Sequence, residues 1–103
     1  MNDKFLSLLG MARRGGRIGL GHDAVISSVT KNKAKLCVLS CDASERLKKE
    51  IQHACNYDNK NIPVILSKYT MMELSAAIGS KAAVISVDDE GFAKALTEKY
   101  TEN

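Results

Sequence analysis

Residues 17–40 read RIGLGHDAVISSVTKNKAKLCVLS. The stretch opens with a short extended piece, and residues 21–23 then supply a turn and the polar start of a helix. Apolar residues recur at helical spacing over 25–29, and residues 34–40 form a largely apolar run of strand length. A strand, a helix and a second strand in this order predict an α/β fold.

The same alternation continues in both directions along the chain. On the N-terminal side, the apolar spacing predicts a helix over residues 3–13 that Gly15-Gly16 ends. On the C-terminal side, the patterns predict a helix from a capping box at Asp42 and Glu45, a strand at 62–67, a helix from a capping box at Thr70 and Glu73 to Gly79, a strand at 82–87 and a last helix after Asp88-Asp89-Glu90.

The predicted order is therefore α-β-α-β-α-β-α-β-α. Short apolar strands between helices indicate a sheet that is covered on both faces. We expect a three-layer α/β/α sandwich with a four-stranded mixed, mostly parallel sheet. The length of 103 residues, without repeats or a linker, predicts a single domain over 1–103.

The charge is uneven along the chain. The net charge is +3, from 15 Lys+Arg and 12 Asp+Glu. Residues 1–35 hold seven basic and two acidic residues, which gives +5, and residues 36–103 hold eight and ten, which gives −2. A basic end indicates a polyanionic partner, although an uneven solvated surface has the same composition. With no signal-peptide order and no apolar run of membrane-spanning length, we expect a cytoplasmic protein without a membrane partner.

The sequence predicts neither a metal site nor an enzyme. Its three cysteines are an odd number for a disulfide framework. Cys37 and Cys41 flank a predicted strand and would lie roughly 13 Å apart, which is too far for two ligands of one zinc ion. We expect Cys37 and Cys55 in the core. No catalytic motif is present, and the glycines of GRIGLG at 16–21 lack the spacing of a dinucleotide fingerprint, so we expect no cofactor.

A basic, glycine-rich loop runs into the start of the second helix. The free N–H groups of a helix start attract phosphate, and cationic side chains nearby would add to this attraction. In the competing interpretation, Asp23 is a simple N-cap and the lysines are solvated. The candidate RNA-binding residues in this region are Arg13, Arg14 and Arg17 in the loop, Gly21, His22 and Asp23 at the helix start, and Lys31 and Lys33 at the far end of the helix.

The residues at 17–44 and several later segments together resemble one known family. The matching features are the basic residue, Ile and Gly at 17, 18 and 21, Ala-Lys-Leu at 34–36 with Asp42 beyond it, Ile-Pro-Val at 62–64, Ser-Lys at 67–68, and Leu74, Ala77 and Gly79. VDDEGFAKAL at 87–96 is similar to the tail of a bacterial subgroup. The chain thus resembles the bacterial branch of the kink-turn RNA-binding ribosomal proteins named for archaeal L7Ae, over nearly its whole length.

The resemblance implies an α/β/α sandwich and RNA binding at the start of the second helix. Family members carry Gly-x-Asn-Glu-x-x-Lys there, with Asn and Glu on sheared G·A pairs and Lys on phosphate. In this sequence Gly21 is retained, whereas Asp23, Ala24 and Ser27 replace Asn, Glu and Lys. Lys68 matches a neighbouring family contact. The loop containing Lys81 is shorter and more polar than the family's apolar contact loop.

We therefore expect a non-enzymatic RNA-binding protein of the ribosome or translation apparatus. Its partner would be a kink-turn or related structured RNA, with Lys68 and Lys81 as peripheral cationic contacts, and ribosomal or translation-associated proteins would be further partners. The main alternative is a protein-interaction module that kept the fold but lost the kink-turn site. A third hypothesis is the substrate-recognition piece of an RNA-modifying enzyme.

Overall fold

The computed structural model describes residues 3–102. Its helices and strands follow the predicted order, with one additional 3-10 turn at Tyr57–Asn59. The elements are α1 (Lys4–Arg14), β1 (Ile18–Leu20), α2 (His22–Thr30), β2 (Leu36–Leu39), α3 (Glu45–Asn56), β3 (Val64–Leu66), α4 (Met71–Ile78), β4 (Val84–Val87) and α5 (Glu90–Glu102).

The four strands form one mixed sheet in the order β1-β4-β2-β3. β2 and β3 pair parallel, whereas β4 is antiparallel to both of its neighbours, β1 and β2. The predicted mixed sheet is confirmed, but the prediction that it is mostly parallel is wrong, because only one of the three pairs is parallel.

The short helix α4 explains this difference. Helices α2 and α3 each return the chain to the opposite end of the sheet, so β1, β2 and β3 point the same way. α4 has eight residues, about 12 Å of helix, and joins the end of β3 to the start of β4 at one end of the sheet. β4 therefore runs back between β1 and β2. Alternation of elements alone does not distinguish this path from a parallel crossover.

The sheet is covered on both faces, as the sequence predicts. In β2 all four residues are buried, and they alternate between two cores. Leu36 and Val38 join the core under α1, α4 and α5. Cys37 and Leu39 join the core under α2 and α3, where the Sγ atoms of Cys37 and Cys55 are 3.5 Å apart. The expectation that both cysteines are core residues is confirmed.

The structure confirms the predicted capping residues at the start of α4 but not at the start of α3. Thr70 and Glu73 form the predicted capping box, and Gly79 ends α4 with a φ of 77°. The predicted capping role of Asp42 is wrong, because Ser44 lies next to α3 and accepts a hydrogen bond from the Leu47 N–H. Asp42 instead accepts from the N–H of Met71, a hydrogen bond that holds the pKa of Asp42 below its ordinary value.

Within residues 3–102, no helix has both the length and the apolar character needed to cross a membrane.

Candidate nucleic-acid interface

One edge of the sheet gathers most of the polar loops that the sequence singles out. In the strand register Leu20 lies opposite Ile85, and Leu39 lies opposite both Val84 and Leu66. Three strands therefore end, and β4 begins, at the same edge. We call it the α2 edge, and its segments are residues 21–24, 40–44, 67–70 and 79–83.

The start of α2 lies at this edge with its backbone uncapped by any side chain. Gly21 is the N-cap, with φ 86° and ψ 169°, and no side chain caps the helix. A φ in this range favours glycine because a Cβ atom would be strained there. The N–H of Gly21 donates to the Val84 carbonyl, which fixes the helix start against β4. The first N–H groups of an α-helix have no partner within the helix, and helix starts in general attract anions.

His22 sits between two carboxylates at the start of α2. Its Nε2 lies 2.7 Å from Glu50 Oε2 and its Nδ1 lies 2.9 Å from Asp23 Oδ1. The hydrogen bond with Glu50, together with the bond with Asp23, raises the pKa of His22 above its ordinary value. Because a carboxylate only accepts hydrogen bonds, both ring nitrogens donate best as the imidazolium. The helix start therefore carries one cation between two anions.

Arg13 and Lys81 add positive charge at the loop before β4, on the α2 edge. Nη2 of Arg13 lies 3.5 Å from the Ser80 hydroxyl, so the end of α1 reaches the loop before β4. Lys81 follows in the same loop, and both cationic side chains are exposed. Neither cation forms an ion pair with another described residue. Two cations without an ion pair thus lie in or against the loop that leads to β4.

Lys68 shares this edge but lies at its other end. It follows β3, which is three strand positions from β1, a separation of about 14 Å. Its N–H donates to the Tyr100 hydroxyl, and its Nζ lies 5.5 Å from the centre of the Tyr69 ring. The edge is therefore long enough for two separate contacts.

The remaining predicted residues lie elsewhere. Arg17 precedes β1, and its carbonyl accepts from the Asp88 N–H at the opposite edge of the sheet. Lys31 and Lys33 follow α2 at that same opposite edge. Arg14 lines a groove between α1 and α4. The ten candidate residues thus divide between the two edges and this groove.

Glu50 and Ser80 are site residues that sequence reasoning missed. Glu50 lies on α3, 28 positions from His22, and Ser80 lies 67 positions from Arg13. No spacing rule connects such distant positions. The only available signal for Glu50 is its place on the polar face of the third helix, a place it shares with several solvated charges.

Comparison with known proteins places the chain in a family. Residues 3–97 match the model of the Ribosomal protein L7Ae/L30e/S12e/Gadd45 family. The chain belongs to this family. The resemblance stated from the sequence is thereby confirmed at the level of the family.

Two curated relatives are bacterial members called RNA-binding protein YlxQ. The protein from Bacillus subtilis (strain 168) is 34% identical over 94 residues, which cover 90% of this chain and 91% of the relative. The protein from Enterococcus faecium is 30% identical over 95 residues, which cover 92% and 89% of the two chains.

Two solved structures share the fold. A protein with unknown function from Bacillus halodurans C superposes with a TM-score of 0.90 at 33% identity, covering 97% of this chain and 99% of that one. The Giardia lamblia 15.5kD RNA binding protein superposes with a TM-score of 0.71 at 18% identity, covering 99% and 89%. This second likeness shows the fold alone.

Proposed function

We propose that the protein is a non-enzymatic RNA-binding protein of the translation apparatus that binds structured RNA at the α2 edge. The observation that carries the proposal is the uncapped start of α2, with Gly21 at its N-cap and the unpaired cations Arg13 and Lys81 at the loop before β4 on the same edge. The family membership and the name of both bacterial relatives, RNA-binding protein YlxQ, support the same partner.

The backbone and the cations would hold the RNA by its phosphates. The N–H groups at the start of α2 donate hydrogen bonds to an anion, and Arg13 and Lys81 neutralise neighbouring phosphates. Lys68 would contact the RNA further along the same edge. Arg17, Lys31 and Lys33, at the opposite edge of the sheet, would contact a second stretch of the RNA backbone. Arg14 would contribute charge at the end of α1.

Carboxylates at the helix start would supply base recognition. Asp23 is fully exposed, and the half-exposed Glu50 lies beside it across the His22 ring. Both groups accept hydrogen bonds, which guanine amino and imino groups donate. Glu50 would thus replace the Glu that the family pattern carries at the position of Ala24. We infer that the preferred RNA presents exposed guanine edges, as the sheared G·A pairs of a kink-turn do.

A binding titration at two salt concentrations tests both parts of the proposal. The labelled RNAs are a kink-turn and a hairpin of equal length and charge. Three or four neutralised phosphates predict a log–log salt slope of roughly −2 to −3. Preference for the kink-turn is the expected result. Equal affinity for the two RNAs that falls with salt would contradict the kink-turn preference alone. An affinity that does not change with salt would contradict the phosphate contacts as well.

A second candidate function is a protein-interaction module on the same fold. Ala24 and Ser27 favour it, because both are exposed on α2 where the family pattern carries Glu and Lys. Under this hypothesis, neither RNA binds. Charge reversal of Arg13, Arg14 and Arg17 would then leave the protein's association in the cell unchanged.

A further inference from the structure

Helices α1 and α4 lie side by side and run in the same direction. The Tyr69 hydroxyl donates to Asp3 across 2.5 Å at one end, and Arg13 reaches Ser80 at the other. Between these contacts the helices approach closely, because a Cβ atom on Gly10 would lie 2.9 Å from the Ala77 carbonyl oxygen. An open groove of about 540 Å³ lies between their outer surfaces.

Most of the groove lining is apolar, and two large apolar side chains are exposed in it. Met11 is 50% exposed and Met72 is 81% exposed, and Ala76 lies beside them in the lining. Methionine side chains are flexible and polarizable, and they adapt to the shape of a bound apolar surface. Exposed methionines in a concave surface are typical of a site that another molecule covers.

The two ends of the groove carry opposite charge. Asp3 and Glu73 line the end where both helices begin, and Arg14 lines the end where α1 finishes. Arg14 forms no ion pair with any residue in the described range 3–102. The groove therefore has an apolar floor, an acidic end and a basic end, which is the complement of one amphipathic helix.

We propose that this groove docks an amphipathic α-helix of a partner protein. α1 is 11 residues long, so the groove accepts about 16 Å of helix, or three turns. Apolar residues at positions i, i+3, i+4 and i+7 of the partner would contact Met11 and Met72. The partner's cationic residues would lie near Asp3 and Glu73, and its carboxylates near Arg14.

The charges also fix the direction of the docked helix. Protein helices tend to carry acidic residues in the first turn and basic residues in the last. The charges of such a helix lie opposite the complementary charges of the groove only when the helix runs antiparallel to α1 and α4. Its first turn then lies beside Arg14, next to Arg13 and the α2 edge. This inference goes beyond RNA binding and does not depend on it.

Selection from a display library of helical peptides that are randomised over 11 residues, the length of α1, tests the proposal on the full chain. We expect the enriched peptides to share an apolar stripe, acidic residues at the N-terminus and basic residues at the C-terminus. Met72→Glu should weaken the selected peptide at least about tenfold, because it places a charge in the apolar contact. Tyr57→Glu is the matched control, since Tyr57 is 64% exposed and lies outside the groove lining. It should leave peptide affinity within about twofold.

A second peptide, in which the acidic and basic ends of the selected sequence are exchanged, tests the direction of the docked helix. We expect its affinity to fall roughly fivefold, the scale of a few exposed ion pairs. No enrichment, enrichment of a different pattern, or affinity unaffected by Met72→Glu would overturn the proposal. Protection of Met11 and Met72 by RNA in place of a peptide would also overturn it. Because Met72→Glu leaves the α2 edge unaltered, kink-turn affinity measured on that variant reports the proposed RNA function separately.

Discussion

The imidazole of His22 and the carboxylate of Glu50 meet across 2.7 Å and join the start of α2 to α3. The other ring nitrogen faces Asp23 at 2.9 Å. A hydrogen-bond acceptor opposite each ring nitrogen stabilises the protonated form of His22. This relationship makes the start of α2 sensitive to pH in the range where histidine titrates.

The pKa of His22 is raised in the folded protein, so its contribution to stability depends on pH. A raised folded-state pKa stabilises the fold fully below the unfolded pKa of ~6.5, and the contribution is lost as the pH rises through the folded value. We expect the wild type to melt at a higher temperature than Glu50→Gln at pH ~5.5, and the difference to shrink towards pH ~9. Melting curves over this range measure it.

An NMR titration provides the direct check on this assignment. The pKa of His22 should fall in Glu50→Gln, because the variant removes the largest cause of the shift. His53→Gln should retain the pH dependence of melting, since the exposed His53 ring lies against Tyr57 and makes no hydrogen bond in the cluster of His22, Asp23 and Glu50. An unchanged His22 pKa in Glu50→Gln would contradict the interpretation.

The division of the basic residues predicts unequal effects on RNA affinity. Arg13→Ala with Lys81→Ala removes both unpaired cations at the loop before β4 and should reduce the log–log salt slope by roughly 1.5. Lys4→Ala with Lys94→Ala changes the net charge equally at exposed positions of α1 and α5 and should leave the slope nearly unchanged. Titrations at several salt concentrations compare the two. Equal loss in both double variants would mean that net charge, not position, governs binding.

The order of elements was predictable from the sequence because each element is encoded locally. The helical period, the strand-length runs and the capping box at Thr70 all follow from neighbouring residues. The path of β4 depends on where α4 crosses the sheet, and the contact between His22 and Glu50 depends on how α2 packs against α3. These are tertiary properties, and local patterns do not contain them. Asp42 illustrates the limit, since its spacing fits a cap for α3 while its carboxylate accepts from the start of α4.

The three cysteines should differ sharply in reactivity. Cys41 is exposed, whereas Cys37 and Cys55 are buried together in the core under α2 and α3. The hydrogen bond with the Cys55 thiol, together with burial, raises the pKa of Cys37, so its reactive thiolate is scarce. We expect Ellman's reagent to modify one thiol quickly in the native protein and all three after unfolding. Cys41→Ser should abolish the fast phase, and a remaining fast phase would show that the core thiols are accessible.

The close approach of α1 and α4 makes Gly10 intolerant of a larger side chain. Gly10→Ala places a Cβ atom 2.9 Å from the Ala77 carbonyl oxygen, which belongs to the backbone of α4 and yields only if the helices separate. Overpacking costs ~1–3 kcal/mol, and alanine's better helix propensity returns at most ~1 kcal/mol. We therefore expect a net loss of about 1 kcal/mol in the free energy of unfolding, measured by urea denaturation. Gly15→Ala is the control, because its added Cβ atom has neighbours no closer than 3.5 Å and its φ of −78° suits alanine. Equal stability of the two variants would show that α1 and α4 are free to move apart.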